Sequence, residues 1–349
     1  MPEILVDILK AKDLYSGLGQ FSVNFAEAVQ APGTGDQRFT FLAPPGLSLS
    51  GTARYERPNW RKRYLPAFNR PYDLWHSLHQ FPSFLPGPRS KWILTVHDLN
   101  FLLEKEPAKA DRYLRRLQRN IHMAEAVTTI SHFTRQELER HVDLRGKNVQ
   151  VIHNGVKVPT GSPSEHRGRP YFLSLGVFKE KKNFHALLPL MAHFPDHDLV
   201  LAGNSNTAYG ERIKSQVREF GLGDRVHLPG GVDEQEKFRL YANCEAFLFP
   251  SLAEGFGLPV VEAMLLGKPV FLSRATSLPE IGGDVAFYFD TPGPTEMADT
   301  IVKGLRVFGN DQGVHSERSK RHASQYTWGN SIAKYTALYD EVLAPRSFG

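Results

Sequence analysis

The sequence predicts an α/β fold built as two doubly wound parallel-sheet domains. Three observations predict it. Short apolar runs alternate with amphipathic helical stretches through both halves of the chain, the pattern of strands crossing over through helices. Several of these runs end in glycine just before a helical stretch opens. A segment rich in Pro, Gly, Ser and charge, 157–170, separates the halves, and 349 residues suit two domains.

Composition narrows the class. Hydrophobic residues make up 41%, an ordinary globular content. No run approaches the ~18 apolar residues of a membrane span. The start, Met1-Pro2-Glu3-Ile4-Leu5-Val6, is too short and too acidic for a signal peptide. One cysteine, Cys244, excludes an internal disulfide framework and reads as a small core residue. These features predict a cytoplasmic protein. Its net charge of +5 is open to nucleic acid, an anionic membrane surface or phosphorylated substrates.

The first half opens with the strand Ile4–Leu9, interrupted by Asp7. The loop Asp13–Gln20 carries Gly17 and Gly19 and leads into an amphipathic helix with Phe21, Val23, Phe25, Ala26 and Val29. A plain tight turn explains Gly17-x-Gly19 equally well. Residues 31–70 are irregular apart from a strand at Arg38–Ala43. Within them, Arg57, Arg61, Lys62, Arg63 and Arg70 lie among Tyr55, Trp60, Tyr64 and Phe68. This mixture suits a membrane interface or a phosphorylated acceptor, and also a solvated loop. Asp73–His79 is a further strand and its exit. On a strand His76 and His79 point to opposite faces, which argues against a shared metal. Trp92–Val96 is a buried strand with His97-Asp98 at its C-terminal end, the edge beyond which open parallel sheets bind ligands. The helix Pro107–Glu125 presents Arg112, Arg115, Arg116 and Arg119 on one stripe, either for anionic lipid or as a solvated face. The strand Ala126–Ser131, a helix capped by Ser131 or Thr134, and Val149–Val156 complete the half.

The second half begins with the strand Tyr171–Leu175 and Gly176, followed by Lys179, Lys181 and Lys182. Asp198–Ala202 with Gly203, and Val226–Val232 with Gly231, repeat the strand–glycine pattern. A helix with Glu236, Lys237, Leu240 and Tyr241 then leads to the most informative stretch. Ala246–Phe249 reads as a buried strand, Gly255 and Gly257 loosen the backbone, and Pro259 sits where a first helical position is expected. A helix start after a parallel strand presents unpaired N–H groups and partial positive charge, a ready phosphate site. Glu254 and Glu262 flank it, and carboxylates accept from hydroxyls. Phosphate on the amides and sugar hydroxyls on the acids together describe a nucleotide sugar. Two solvated glutamates around an ordinary helix start are the plainer reading. Strands at Val270–Leu272 and Ala286–Phe289, helices at 295–308 and 316–325, and an amphipathic helix at Trp328–Leu343 close the chain.

The wording Glu254-Gly-Phe-Gly257-Leu258-Pro259-x-x-Glu262-Ala263 resembles the Glu-x7-Glu motif of retaining, nucleotide-sugar-dependent glycosyltransferases of family 4 (glycosyl transferases group 1), close to bacterial mannosyltransferases. The likeness continues through Gly267-Lys268-Pro269-Val270 and Ser277–Gly282. It is strong from about 171 to 340 and patchier over 1–156. It implies the GT-B architecture: two Rossmann-like domains facing across a cleft, with an acceptor domain 1–156, a linker 157–170, a donor domain 171–325, and a C-terminal helix 326–349 crossing back to the first domain.

It also implies roles. His97 faces the transferred sugar, with Asp98 orienting it. Glu254 lies near the sugar, and Lys182 holds the diphosphate with Lys181 as helper. Gly17, Gly19, Gly176, Gly203, Gly231, Gly257, Leu258 and Pro259 shape the donor site, and Glu262 takes the ribose hydroxyls. The family usually has Gly-Arg or Gly-Thr at this point; this chain has Val177 where the Arg would be, so an arginine clamp on the diphosphate is missing there. The resemblance implies retention, a GDP- or UDP-sugar donor with GDP-mannose favoured, and a glycan or lipid-linked acceptor in lipopolysaccharide or exopolysaccharide assembly. No metal or other cofactor is expected: Asp196-His197-Asp198 spells a metal motif of another glycosyltransferase fold, but falls at the wrong end of a strand. Peripheral membrane association is expected, and nucleic acid is not.

Three alternatives remain. A nicotinamide oxidoreductase needs Gly-x-Gly-x-x-Gly, and position 22 is Ser. A non-hydrolysing sugar-nucleotide epimerase shares the fold but needs no acceptor domain. A nucleic-acid-binding protein would show salt-dependent binding.

Overall fold

The structure is a computed structural model and describes all residues except 15, 32–36, 50–52, 159, 162–165, 167, 292 and 346–349. Part of the expected linker, 159, 162–165 and 167, therefore lies outside the described residues, as does Tyr15 of the first glycine loop. The chain divides into two compact units, Met1–Gly155 with Thr327–Gly349, and Val156–Tyr326.

The first unit holds a seven-stranded sheet: β1 (Glu3–Asp7), β2 (Arg38–Leu42), β3 (Arg54–Glu56), β4 (Leu74–Ser77), β5 (Lys91–Val96), β6 (Ala126–Thr129) and β7 (Val149–Val151). Their order is β3-β2-β1-β4-β5-β6-β7, and every pairing is parallel. The order reverses between β1 and β4, as doubly wound sheets require. Both faces are covered, so the strands read as unbroken apolar runs rather than alternating ones. Ile4, Val6 and Ile93 pack on one side with Phe21 and Phe25 of the helix Gly17–Ala28. Leu5, Trp92 and Leu94 pack on the other with Leu117 and Leu138. The last helix, Trp328–Leu343, lays Ile332, Tyr335, Leu338 and Tyr339 into the first of these cores.

The second unit repeats the plan with six strands: β8 (Tyr171–Leu175), β9 (Asp198–Ala202), β10 (Val226–Gly230), β11 (Ala246–Phe249), β12 (Val270–Ser273) and β13 (Phe287–Phe289). Their order is β10-β9-β8-β11-β12-β13, again all parallel, with the reversal between β8 and β11.

Three elements depart from the expectation. The segment 31–70 contains β3 and a short helix, Trp60–Tyr64. Phe184–His193 forms consecutive short helical turns whose Phe184, Leu187, Leu188, Leu190 and Met191 are fully buried. Being apolar apart from His185 and His193, and carrying Pro189, it shows no clear helical stripe in the sequence. The penultimate helix runs Gln312–Ala323, starting earlier than expected because Asp311 accepts the Val314 N–H and caps it there.

Candidate active site

The site in the second unit lies at the β8/β11 reversal, where doubly wound sheets bind ligands beyond the C-terminal ends of their strands. After β8 the chain passes Gly176 and a turn at Glu180–Lys182. After β11 it passes Ser251 and Glu254 to the helix Leu258–Leu265. Asn183, in the left-handed conformation, ties the two exits together by donating to the Pro250 carbonyl. The Lys181 carbonyl accepts from the Leu252 N–H at 2.7 Å, and Ser251 Oγ lies 3.0 Å from the same oxygen.

This scaffold brings Lys182 and Glu254 together. Lys182 Nζ lies 2.6 Å from Glu254 Oε1 and 4.7 Å from the centre of the Phe249 ring. Ser251 Oγ donates to the same Oε1 at 2.6 Å, and Thr276 Oγ1 accepts the Glu254 N–H. Burial alone pushes the Glu254 carboxyl up, but the Lys182 and Lys181 ammonium groups and the Ser251 hydroxyl outweigh it and hold the group below its usual range. Glu254 is therefore an anion. Among the described residues its Oε2 has no hydrogen-bond partner, and the side chain stays 13% exposed.

The helix after Glu254 begins one residue earlier than expected. Leu258 is its first residue and Pro259 its second, because Gly257 takes the cap position with φ of 109°, a conformation that favours glycine. A glycine cap has no side chain to cover the first turn. The Gly257 carbonyl accepts from Val260, while the amides of Gly257 and Leu258 find no acceptor among the described residues. An anion-ready helix start thus lies a few residues beyond the Lys182–Glu254 pair.

Glu262 is 8% exposed. Lys237 Nζ sits 2.9 Å from its Oε1, and the Tyr241 hydroxyl donates to its Oε2 at 2.9 Å. Burial pushes the Glu262 carboxyl above its usual range, and Lys237 and Tyr241 pull it back. Each oxygen keeps a second lone pair for a further donor. The sequence placed Lys237 and Tyr241 on the approaching helix without linking them to Glu262; their spacing of four, one face of a helix, was the available signal. Ser251, three residues before Glu254, was likewise missed.

The glycines divide. A Cβ on Gly203 would lie 2.0 Å from the Gly176 carbonyl oxygen, and one on Gly176 would lie 3.0 Å from Lys182 Cε. These two positions let the ends of β8 and β9 close up beneath the lysine. Gly231 follows β10 and is exposed.

In the first unit His97 follows β5. It is 4% exposed, with its ring edge-on to Phe21 at 4.8 Å. Burial lowers its pKa to about 4, so the ring is neutral near pH 7. Its Nε2 lies 2.8 Å from the Leu78 carbonyl. A carbonyl only accepts, so Nε2 carries the proton and Nδ1 remains an acceptor. The Leu78 carbonyl and Phe21 hold the ring, and Asp98 Oδ1 accepts the Asn100 N–H. In the glycine loop the close approach falls at Gly19, where a Cβ would meet the Asp13 carbonyl oxygen at 1.8 Å, whereas Gly17 has open space. Ser16 caps the helix by accepting the Gly19 N–H.

Two doubly wound parallel-sheet domains, the second carrying a lysine–glutamate pair and an uncapped helix start at its strand reversal, define a glycosyltransferase of the GT-B class. Residues 162–311 match the family model "Glycosyl transferases group 1" and residues 24–158 match "Glycosyltransferase Family 4". The chain belongs to this glycosyltransferase family. It is similar to the O-antigen chain mannosyltransferase B of Escherichia coli, 26% identical over 284 residues, covering 75% of this chain and 74% of that one. It is also similar to the serotype-specific mannosyltransferase WbdA of Escherichia coli, 27% identical over 275 residues, but spans only 33% of that longer protein against 71% of its own length. Among solved structures, Anabaena HepE in complex with UDP and glucose superimposes with a TM-score of 0.76 at 18% identity, over 98% of this chain and 100% of that one. At that identity the likeness speaks for the fold.

Proposed function

We propose that this enzyme transfers a hexosyl unit from a nucleotide sugar, GDP-mannose in preference to a UDP-sugar, to a glycan or lipid-linked acceptor in cell-surface polysaccharide assembly, with retention at the anomeric carbon. The Lys182–Glu254 pair beside the uncapped start of the helix Leu258–Leu265 carries the reading. The mannosyltransferase relatives support the choice of sugar.

In the reaction, the bond from sugar C1 to the diphosphate oxygen breaks and a bond from C1 to the acceptor oxygen forms. The acceptor proton leaves with the nucleoside diphosphate. The departing diphosphate gains charge, and cations and amide dipoles aimed at that charge lower the barrier. Lys182 supplies the cation, helped by Lys181, and the Gly257 and Leu258 amides supply the dipoles. On this reading no metal is needed, because these groups provide the counter-charge. Glu254 anchors Lys182 through Oε1 and faces the sugar with Oε2. Glu262 accepts from the ribose hydroxyls, and His97 Nδ1 accepts from a hydroxyl of the transferred sugar.

The test is thermal stabilisation against a panel of GDP- and UDP-sugars, followed by transfer assays with and without a chelator. GDP-mannose is expected to raise the melting temperature of the parent. Lys182→Ala should lose most of that shift. Glu254→Gln should keep binding but lower turnover about a hundredfold or more, the scale of one lost transition-state contact. Parent-like behaviour of both variants, or turnover abolished by the chelator, would refute the reading.

A further inference from the structure

Among the described residues of the first unit, the three most exposed large aromatic side chains follow one another closely in the chain. Trp60 is 63% exposed, Tyr64 68% and Phe68 82%. All three lie on the short helix Trp60–Tyr64 and the turn Pro66–Phe68 behind it. Trp60 and Tyr64 are four residues apart and share a helix face. Cations frame them: the Arg61 guanidinium lies 5.5 Å from the Trp60 ring centre, and that of Arg63 lies 5.5 Å from Tyr64.

The segment is held in place. Asn59 caps the helix by accepting the Lys62 N–H at 2.9 Å. The buried Asn69 donates to the Lys62 and Leu85 carbonyls. The one acid of 54–70, Glu56, is already engaged by Lys62 and by the Tyr72 hydroxyl. Arg54, Arg57, Arg61 and Arg63 remain exposed. The basic helix Pro107–Met123 approaches the same region. Arg116 reaches the Pro82 carbonyl and lies over Phe81. After burial, its pKa is lowered further by Arg119, and also by Arg63. Two basic stretches far apart in sequence thus share one field.

Rings with an apolar body and a polar edge, set among arginines with no free acid between them, match the boundary between lipid tails and anionic headgroups. We propose that Trp60, Tyr64 and Phe68, framed by Arg57, Arg61 and Arg63, seat the first unit on an anionic lipid bilayer. The surface uses none of the residues assigned to the donor and needs no nucleotide sugar, so it can fail or hold independently of the proposed reaction.

The experiment is co-sedimentation of the full chain with vesicles of phosphatidylcholine alone and of phosphatidylcholine mixed with phosphatidylglycerol. The protein is expected to pellet with the mixed vesicles, weakly with the zwitterionic ones, and less as salt rises. Trp75 and Trp92 are buried and Trp328 packs against the first unit's core, so a blue shift of tryptophan emission on binding should report Trp60 and vanish in Trp60→Phe. Replacing Trp60, Tyr64 and Phe68 together with Ser should weaken vesicle binding by about tenfold or more, and Arg61→Glu with Arg63→Glu by a similar factor. These side chains are exposed, so both variants should melt like the parent and keep its shift with a nucleotide sugar. Absence of binding to the mixed vesicles, or unchanged binding by the aromatic variant, would overturn the proposal. Loss of the nucleotide-sugar shift in the parent, with vesicle binding intact, would overturn the donor reading instead.

Discussion

In the Glu-x7-Glu pair Glu262 is buried and Glu254 partly so, and each has its own lysine. Glu254 meets Lys182 at 2.6 Å and Glu262 meets Lys237 at 2.9 Å. A buried ion left without its partner costs more than the intact pair contributes, typically about 3–5 kcal/mol. Lys237→Met should therefore lower unfolding stability at pH 7 by about 3 kcal/mol, measured by denaturant titration. Glu262→Gln in that background should recover part of the loss, since the orphaned charge is gone. Simple additivity of the two changes would argue against the pairing. The sequence named Glu254, Glu262 and Lys182 separately. It could not pair them, because residues more than seventy positions apart in one case are joined only by the neighbouring of β8 and β11.

At the scale of elements, the second unit depends on two strand ends closing over one another. Gly203 leaves β9 with φ of 140°, and its missing Cβ makes room for the Gly176 carbonyl. A contact of 2.0 Å with backbone cannot relax by rotating a side chain. Gly203→Ala should cost roughly 2–3 kcal/mol and displace Lys182. Denaturation and nucleotide-sugar thermal shifts should fall together, while Gly17→Ala, with open space around it, should leave folding unchanged. Such a contrast is invisible in sequence, where Gly17, Gly19, Gly176 and Gly203 all read as glycines after strands. The central strands were legible because burial on both faces makes them apolar runs, whereas the exposed edge strand β3, Arg-Tyr-Glu, was not. The turns of Phe184–His193 were not legible either, because the run is short, mostly apolar and broken by Pro189.

At the scale of the whole molecule, the helix Trp328–Leu343 is part of the first unit's core. Tyr339 donates to or accepts from His76 Nδ1 at 2.7 Å, and Thr95 Oγ1 lies 2.8 Å from His76 Nε2. Deleting 327–349 should expose Phe25, Phe41 and Leu74 and leave a protein that aggregates or binds a hydrophobic dye. Normal melting of the truncated chain would refute the role of this helix. The same histidine sets an acid limit. Burial lowers His76 to about 3 and His97 to about 4, so protons bind the unfolded chain first. Stability is then full above about pH 6.5 and falls as pH drops toward 4, by about 2 kcal/mol per histidine at pH 5. Asp7 acts oppositely: burial raises it to about 6, so its contribution is lost as pH rises through 6. Unfolding measured from pH 7 to 5 should show the decline, and His76→Gln should flatten it by about 2 kcal/mol.

The sequence by itself determined the two doubly wound sheets, the motif that marks the family, and which residues carry charge at helix starts. Periodicity and local wording encode those, since they depend on near neighbours in the chain. Only the tertiary structure decided that Lys182 meets Glu254 and that Lys237 and Tyr241 hold Glu262. Such contacts join distant segments, and which strands lie side by side is settled by packing both faces of the sheet at once.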